Sequence, residues 1–271
     1  MAAQKNVGDV ISQTTVPAST LTPQPLPPST ENGNKNSISA PPAAAQGNEH
    51  SSRDYTIEIP PPTAADDAKL VHDLARIVNE VYIGAEVGIW QDGFQRTSAP
   101  DIEKLIRAGE LAVAYFHGGS DSDDEADRGK EGSSTSSKHQ RQQPKPVGCV
   151  CIQKIRRSSG TTNAEEGKQE EIIGEFGMLA LDERHRGSGL GRDMVRFAEE
   201  RCRTGLGVAA VQLELLFPTG FEHAFKVRLA GWYGRMGYEQ MCVRDFADDH
   251  PELAPLLAGP CEYRVFEKRL V

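Results

Sequence analysis

Arg184-His-Arg-Gly-Ser-Gly-Leu-Gly191 followed by Arg192 sets basic side chains around a run of glycines. It follows the apolar segment Ile172 to Leu181 and opens the amphipathic pattern Leu190 to Cys202. A strand entering a glycine loop and then a helix start is an anion site. The first amides of a helix lack partners inside the helix, and the helix dipole adds partial positive charge at that end. Gly187, Gly189 and Gly191 let the main chain approach a phosphate with no Cβ in the way, and Arg184, Arg186 and Arg192 supply full charge around it. The segment is expected to hold a phosphorylated cofactor.

Two phosphate-binding patterns are excluded by spacing. A Walker loop ends in Gly-Lys-Ser/Thr, which does not follow Gly191. A dinucleotide fingerprint needs a final Gly or Ala where Arg192 stands. Arg186-x-x-Gly189-x-Gly191 resembles instead the acyl-coenzyme A loop of the GNAT superfamily of N-acetyltransferases, whose pattern is Gln/Arg-x-x-Gly-x-Gly/Ala. The flank Leu179-Ala-Leu-Asp-Glu-Arg-His-Arg186 is similar to that family's run from its fourth strand into the loop, with Glu183 where many members have proline. The resemblance covers about Tyr55 to Val271, dense between Glu171 and Tyr238.

The resemblance implies acetyl-CoA as co-substrate, with Arg186, Gly187, Ser188, Gly189, Leu190, Gly191 and Arg192 around its diphosphate. The backbones of Leu179 and Leu181 would hydrogen-bond the pantetheine arm, an amide near Leu179 would hold the oxyanion, and Gly177 is a plausible bulge that starts the splay. Lys226 stands where the family often has an asparagine that contacts the coenzyme, and a lysine there could still reach a phosphate. Transfer to an amine requires removing a proton from an ammonium of pKa near ~10.4 and returning one to a thiolate whose pKa is near ~8.5. Glu175, mid-strand, is the candidate base. Tyr233, in Leu229-Ala-Gly-Trp-Tyr233-Gly-Arg-Met-Gly237-Tyr238, is the candidate acid and could equally be a packed core residue. His185 and His223 are weaker candidates for the base. No metal site is expected.

Several elements must position these groups. Tyr55 to Ile59 alternates as a strand stopped by Pro60, Pro61 and Pro62. Leu70, Leu74, Ile77, Val78 and Val81 recur at helical spacing, predicting a helix from about Ala65 to Tyr82. A loop to Arg96 carries Trp90 and Phe94. Thr97 or Ser98 caps a second helix that ends at Gly109. Strands follow at Leu111 to Phe116, Val147 to Ile155 and Glu171 to Leu181, then the helix Leu190 to Cys202 and the strand Ala209 to Phe217. The last helix carries Phe225, Leu229, Trp232, Tyr233 and Met236 in one stripe, before closing strands near Tyr238 to Arg244 and Glu262 to Lys268. Pattern alone gives a mixed α/β domain with one central sheet. The resemblance sharpens this to an α+β, mostly antiparallel sheet flanked by helices and splayed between its fourth and fifth strands.

Composition bounds the rest. Residues 1–52 are rich in Pro, Ser, Thr, Asn and Gln and are read as a disordered arm, with neither a signal-peptide apolar core nor an arginine-rich transit character. The domain is expected over 53–271, with low-complexity insertions at 118–145 and 158–168. No run approaches the ~18 apolar residues of a membrane helix. Five cysteines at irregular spacing suit a reducing, cytoplasmic or nuclear setting rather than a disulfide framework, and Cys149 and Cys151 read as small core residues. A net charge of −9 with only local basic clusters speaks against nucleic acid. The leading expectation is direct acetyl transfer to a primary amine, small molecule or peptide; the alternative is a non-catalytic acyl-CoA-binding regulatory module.

Overall fold

The computed structural model describes residues 54–118, 144–158 and 170–271. The arm at 1–52 and most of both expected insertions lie outside the described residues. Strand β1 (Tyr55–Glu58) and a short 3-10 turn (Pro62–Asp66) lead into α1 (Ala68–Ala85). Asp67 caps α1 by accepting from the amides of Lys69 and Leu70. Helix α2 (Ala99–Ala108) starts at a Ser98–Asp101 capping box and ends at Gly109, whose φ is 69°. Strands β2 (Leu111–Phe116), β3 (Lys145–Ser158) and β4 (Glu170–Leu181) precede α3 (Leu190–Glu200) and β5 (Ala210–Pro218). Then come α4 (Ala224–Arg235), β6 (Glu239–Asp245), the one-turn α5 (Phe246–Asp249) and β7 (Cys261–Arg269).

One seven-stranded sheet runs in the order β1-β2-β3-β4-β5-β7-β6. All neighbours are antiparallel except β4 and β5. The strand pleat sends alternate side chains to opposite faces. Leu111, Val113 and Cys149 face Val71, Leu74, Ile77 and Val78 of α1 and Ile102 and Ile106 of α2. Ala112, Ala114, Val150 and Ile152 face Leu190, Met194, Val195 and Ala198 of α3 together with Tyr233 of α4. Helices therefore cover both faces, and a third apolar cluster, with Ile89, Phe246, Leu253 and Tyr263, underlies the loop between α1 and α2.

The parallel pair sets the architecture of the site. β4 and β5 share only the positions Gly174↔Val211 and Glu175↔Gln212. β5 meanwhile pairs with β7 along its whole length, from Ala210↔Arg269 to Pro218↔Cys261. Beyond Glu175 the two parallel strands part. On the other edge of β4 the register to β3 shifts between Cys149↔Ala180 and Cys151↔Gly177, so two residues of β4 oppose Val150. That bulge adjoins Gly177, as the sequence led one to expect, but the left-handed backbone is taken by Met178, at φ 49°.

Some boundaries differ from the sequence reading. α1 runs three residues past Tyr82 to Ala85, and the residues around Ala65 form the separate 3-10 turn. β3 extends at both ends, so Lys145 and Ser158 belong to a strand rather than to insertions. α3 closes in a π-turn over Arg201–Gly205. α5 and the 3-10 turn Ala254–Leu256 were not foreseen, being too short to show periodicity. In α4 the fully covered side chains are Lys226 and Tyr233, while Phe225, Leu229, Trp232 and Met236 are only partly covered.

Gly148 holds β3 close to β4 at the end that bears the bulge. A Cβ there would lie 2.6 Å from the main-chain oxygen of Ala180. Gly148→Ala should therefore cost about 1–3 kcal/mol of stability, the usual cost of forcing a methyl into a filled position. Denaturant unfolding measures this, and an unchanged midpoint would contradict the described spacing.

Candidate active site

The glycine loop has the free amides its sequence implies. A 3-10 turn (Glu183–His185) carries the chain from β4, and Gly189 caps α3. Gly187 and Gly189 take φ 80° and 91°, where other residues are strained. Ser188 Oγ donates to the carbonyl of His185 at 2.7 Å and accepts from the Leu190 amide at 3.3 Å. Among the described residues the amides of Gly187, Ser188, Gly189 and Gly191 have no acceptor. An added Cβ at Gly187, Gly189 or Gly191 would meet nothing within 4 Å, so the space above the loop is open.

The three arginines are not equivalent. Arg184 is bonded to Asp182 through Nε and Nη2, at 3.2 and 2.9 Å. That contact above all holds the Asp182 carboxyl down at about 2. Arg186 pairs with the exposed Glu183 at 3.2 Å, a contact worth little in water. Arg192 is exposed and has no carboxylate within 4 Å among the described residues.

Where β4 and β5 part, Glu175 points between two carboxamides. Gln153 Nε2 donates to Oε1 at 3.0 Å and Gln212 Nε2 to Oε2 at 2.7 Å. Glu214 stands two residues further along β5, past the last paired position. Burial, then the nearby charge of Glu175, push its carboxyl up to about 7 despite an ion pair with Arg244. Arg244 also reaches Asp249 at 3.1 Å. Glu214 was missed in the sequence, where the signal was a charged residue in the otherwise apolar run Leu213-Glu214-Leu215-Leu216-Phe217.

Tyr233 is buried, with its ring near Phe176, Trp232 and Tyr238 at centroid distances of 6.0, 4.8 and 5.7 Å. Its hydroxyl makes no hydrogen bond among the described residues. Burial drives its pKa far up, so the phenol keeps its proton throughout the working range. The side chain is thus both packed and, at its tip, without a partner.

Lys226 does not reach for the loop. Its Nζ lies 2.7 Å from Glu86 Oε1, with both side chains almost fully covered. Glu86 Oε2 accepts from Trp90 Nε1 at 2.6 Å. Burial raises the Glu86 carboxyl, but Lys226 and Arg96 outweigh it and hold the group down. A phosphate contact by Lys226 would leave that carboxylate buried with one cation fewer, a costly exchange. Three positions after His223, which caps α4 by accepting from the Lys226 amide, Lys226 is a structural lysine facing the loop between α1 and α2.

That loop borders a cavity of about 260 Å³ lined by Tyr82, Glu86, Trp90, Asp92, Phe94 and Arg96, among others. Its frame is fixed at both ends. Asn79 clasps Thr97 through both amide atoms, donating to the carbonyl at 2.9 Å and accepting from the amide at 3.1 Å. Gln91 bonds Leu256 and Pro255, and Trp90 bridges to Leu257.

Thiolate formation is disfavoured at the buried cysteines. Cys149 is pushed up to about 12, and Cys202 and Cys261 to about 11, in each case by burial first. Cys151 is driven higher still, again by burial first. Among the described residues no group of three or more His, Cys, Asp or Glu could hold a metal ion, and no helix is long and apolar enough to cross a membrane.

Residues 140–240 match the family model described as the acetyltransferase (GNAT) domain. That segment is similar to a GNAT acetyltransferase domain. The matched segment runs through β3, β4, the glycine loop, α3, β5 and α4, and so contains Glu175, Glu214, Tyr233 and the free amides of the loop. Solved structures of GNAT proteins overlay on the chain only loosely. A mosquito arylalkylamine N-acetyltransferase like 5b is similar at TM-score 0.46 and 16% identity, over 80% of this chain and 100% of that one. A GNAT-family acetyltransferase from Streptococcus pneumoniae gives 0.45 and 14%, over 80% and 99%. The NatC complex bound to Gag peptide and CoA gives 0.45 and 11%, over 80% and 99%. No curated protein matches the chain.

The raised Glu214 carboxyl has a consequence for stability. Between its ordinary 4.5 and about 7 the folded state binds a proton that the unfolded state has released. The stabilisation from this group is present below the lower value and is lost as pH rises through the upper one. Glu214→Gln should remove that slope, so that its stability relative to the parent improves from pH 5 to pH 8. Urea unfolding at the two pH values reads this, and parallel curves would contradict it.

Proposed function

We propose that the protein is an acetyl-CoA-dependent N-acetyltransferase that passes the acetyl group directly to a primary amine. The observation that carries this reading is the run of acceptor-free amides at Gly187, Ser188, Gly189 and Gly191 beside a sheet that opens after Glu175. The residues present suit acetyl-CoA on chemical grounds. Open space over three glycines, unpaired N–H groups and the free charge of Arg192 match a diphosphate, with Arg186 and Leu190 completing the loop. The β5-facing edge of β4 at Leu179 and Leu181 is free of ladder bonds to β5 and suits an amide-bearing arm. Gly177 is exposed, and a Cβ there would meet nothing within 4 Å.

In this reading the co-substrate supplies an activated acetyl group as a thioester. Glu175 takes the ammonium proton, directly or through water, with Gln153 and Gln212 fixing its orientation. The freed nitrogen attacks the carbonyl carbon and sheds its second proton, the carbon–sulfur bond breaks as the amide forms, Tyr233 delivers its proton to the departing sulfur, and the proton shed by the nitrogen restores the phenol. A main-chain amide near Leu179 steadies the negative charge on the oxygen. The high thiol pKa values of the four buried cysteines favour direct transfer over an acyl-cysteine route.

Two variants separate binding from chemistry. Gly191→Val covers the amide face at a position with room for a side chain and no left-handed φ. It should weaken acetyl-CoA at least about tenfold in calorimetry, as expected when a charge-assisted contact is lost, while the melting temperature holds. Tyr233→Phe should bind acetyl-CoA normally and lose about 10²-fold or more in kcat, measured by thiol release over an amine panel. If the parent protein binds acetyl-CoA yet releases no thiol with any amine, it is a binding module and not an enzyme.

A further inference from the structure

We propose that the cavity between α1 and the 86–96 loop is an acceptor subsite that selects amines carrying a carboxylate, received by Arg96. This rests on the transferase reading above and names the substrate class of that same site. Of the two carboxylates in the wall of the cavity, Asp92 is exposed, and the buried Glu86 is already bonded to Lys226 and to Trp90. Arg96 has no carboxylate within 4 Å among the described residues. A partly buried guanidinium with no carboxylate bonded to it favours an anionic partner, since burying it unpaired is costly.

Its geometry suits a planar, two-oxygen partner. The Arg96 guanidinium lies over the Tyr82 ring at 5.0 Å, and the nearby Tyr263 phenol favours its charged form. Of its five donors most are therefore still to be matched, in a fork that fits a carboxylate. Beside it Trp90 and Phe94 stack with centroids 3.9 Å apart and planes 7° from parallel, giving an apolar slab for the rest of the ligand. The volume of about 260 Å³ suits something of amino-acid size. Asp92 is exposed and also lines the cavity.

Tyr263 links Arg96 to the transfer chemistry. Burial raises its phenol most, Arg96 opposes this, and Glu214, Glu86 and Glu175 add to it. Arg96 on one side and the Glu175–Glu214 carboxylates on the other thus act on the same side chain. An amino acid held by its carboxylate on Arg96 would keep its amine free to turn toward those carboxylates.

The test compares free amino acids such as leucine and phenylalanine with their primary amides, which differ only in the anionic group. Calorimetric binding to the full chain does not depend on turnover, so a silent thiol-release assay would count against the transferase reading and leave this one standing. The acids should bind at least about tenfold tighter than the amides, as for a charge-assisted pair. Arg96→Gln should abolish that difference and leave amide binding unchanged, which also reports an intact cavity, while Arg96→Lys keeps part of the preference. Equal binding of acid and amide to the parent protein, no binding of any acid, or equal weakening of both by Arg96→Gln would overturn the proposal.

Discussion

The parting of β4 from β5 after Glu175 is the constraint on which the rest depends. Main-chain donors and acceptors inside a protein must find partners. Here the ladder stops after two paired positions, while β5 stays fully engaged with β7 on its other side. β4 is held by β3 through a bulged register, with Met178 in a left-handed conformation at the point where the edge turns away. The strand then delivers the chain into a loop whose amides are likewise without acceptors. One discontinuous cleft therefore presents unpaired backbone groups along a strand edge and again at a helix start.

Charge is sorted along the same cleft. The carboxylates Glu175 and Glu214 stand where the strands separate, with Gln153, Gln212 and Arg244 orienting them. Cations with no carboxylate within 4 Å among the described residues stand at Arg192 on the loop and at Arg96 in the cavity. Arg184 and Arg186 add less, because Asp182 and Glu183 already engage them. A net charge of −9 over the chain thus coexists with two local positive sites, each at a place where main chain or aromatic rings can hold a ligand.

What the sequence disclosed follows from how local each signal is. The glycine loop is set by residues adjacent in the chain, so Gly187, Gly189 and Gly191 announced their free amides directly. The helix caps at Ser98 and Gly109 and the alternating strands were legible for the same reason, whereas the α+β, mostly antiparallel sheet was implied only by the family resemblance. Lys226 was not, because its partner Glu86 is far away in sequence and only the packing of α4 against the α1–α2 loop brings them together. Glu214 and Arg96 escaped for a related cause: burial and distant neighbours give them their character, and neither leaves a periodic trace. The bulge was placed correctly near Gly177, but the strained residue proved to be its neighbour Met178.

A crystal structure of the protein with acetyl-CoA tests the central claim most directly. The account predicts the diphosphate on the amides of residues 187–191, the pantetheine along the β5-facing edge of β4 at Leu179 and Leu181, and the thioester between Glu175 and Tyr233. Density for the nucleotide at another surface, with the gap between β4 and β5 filled by protein or closed, would contradict it.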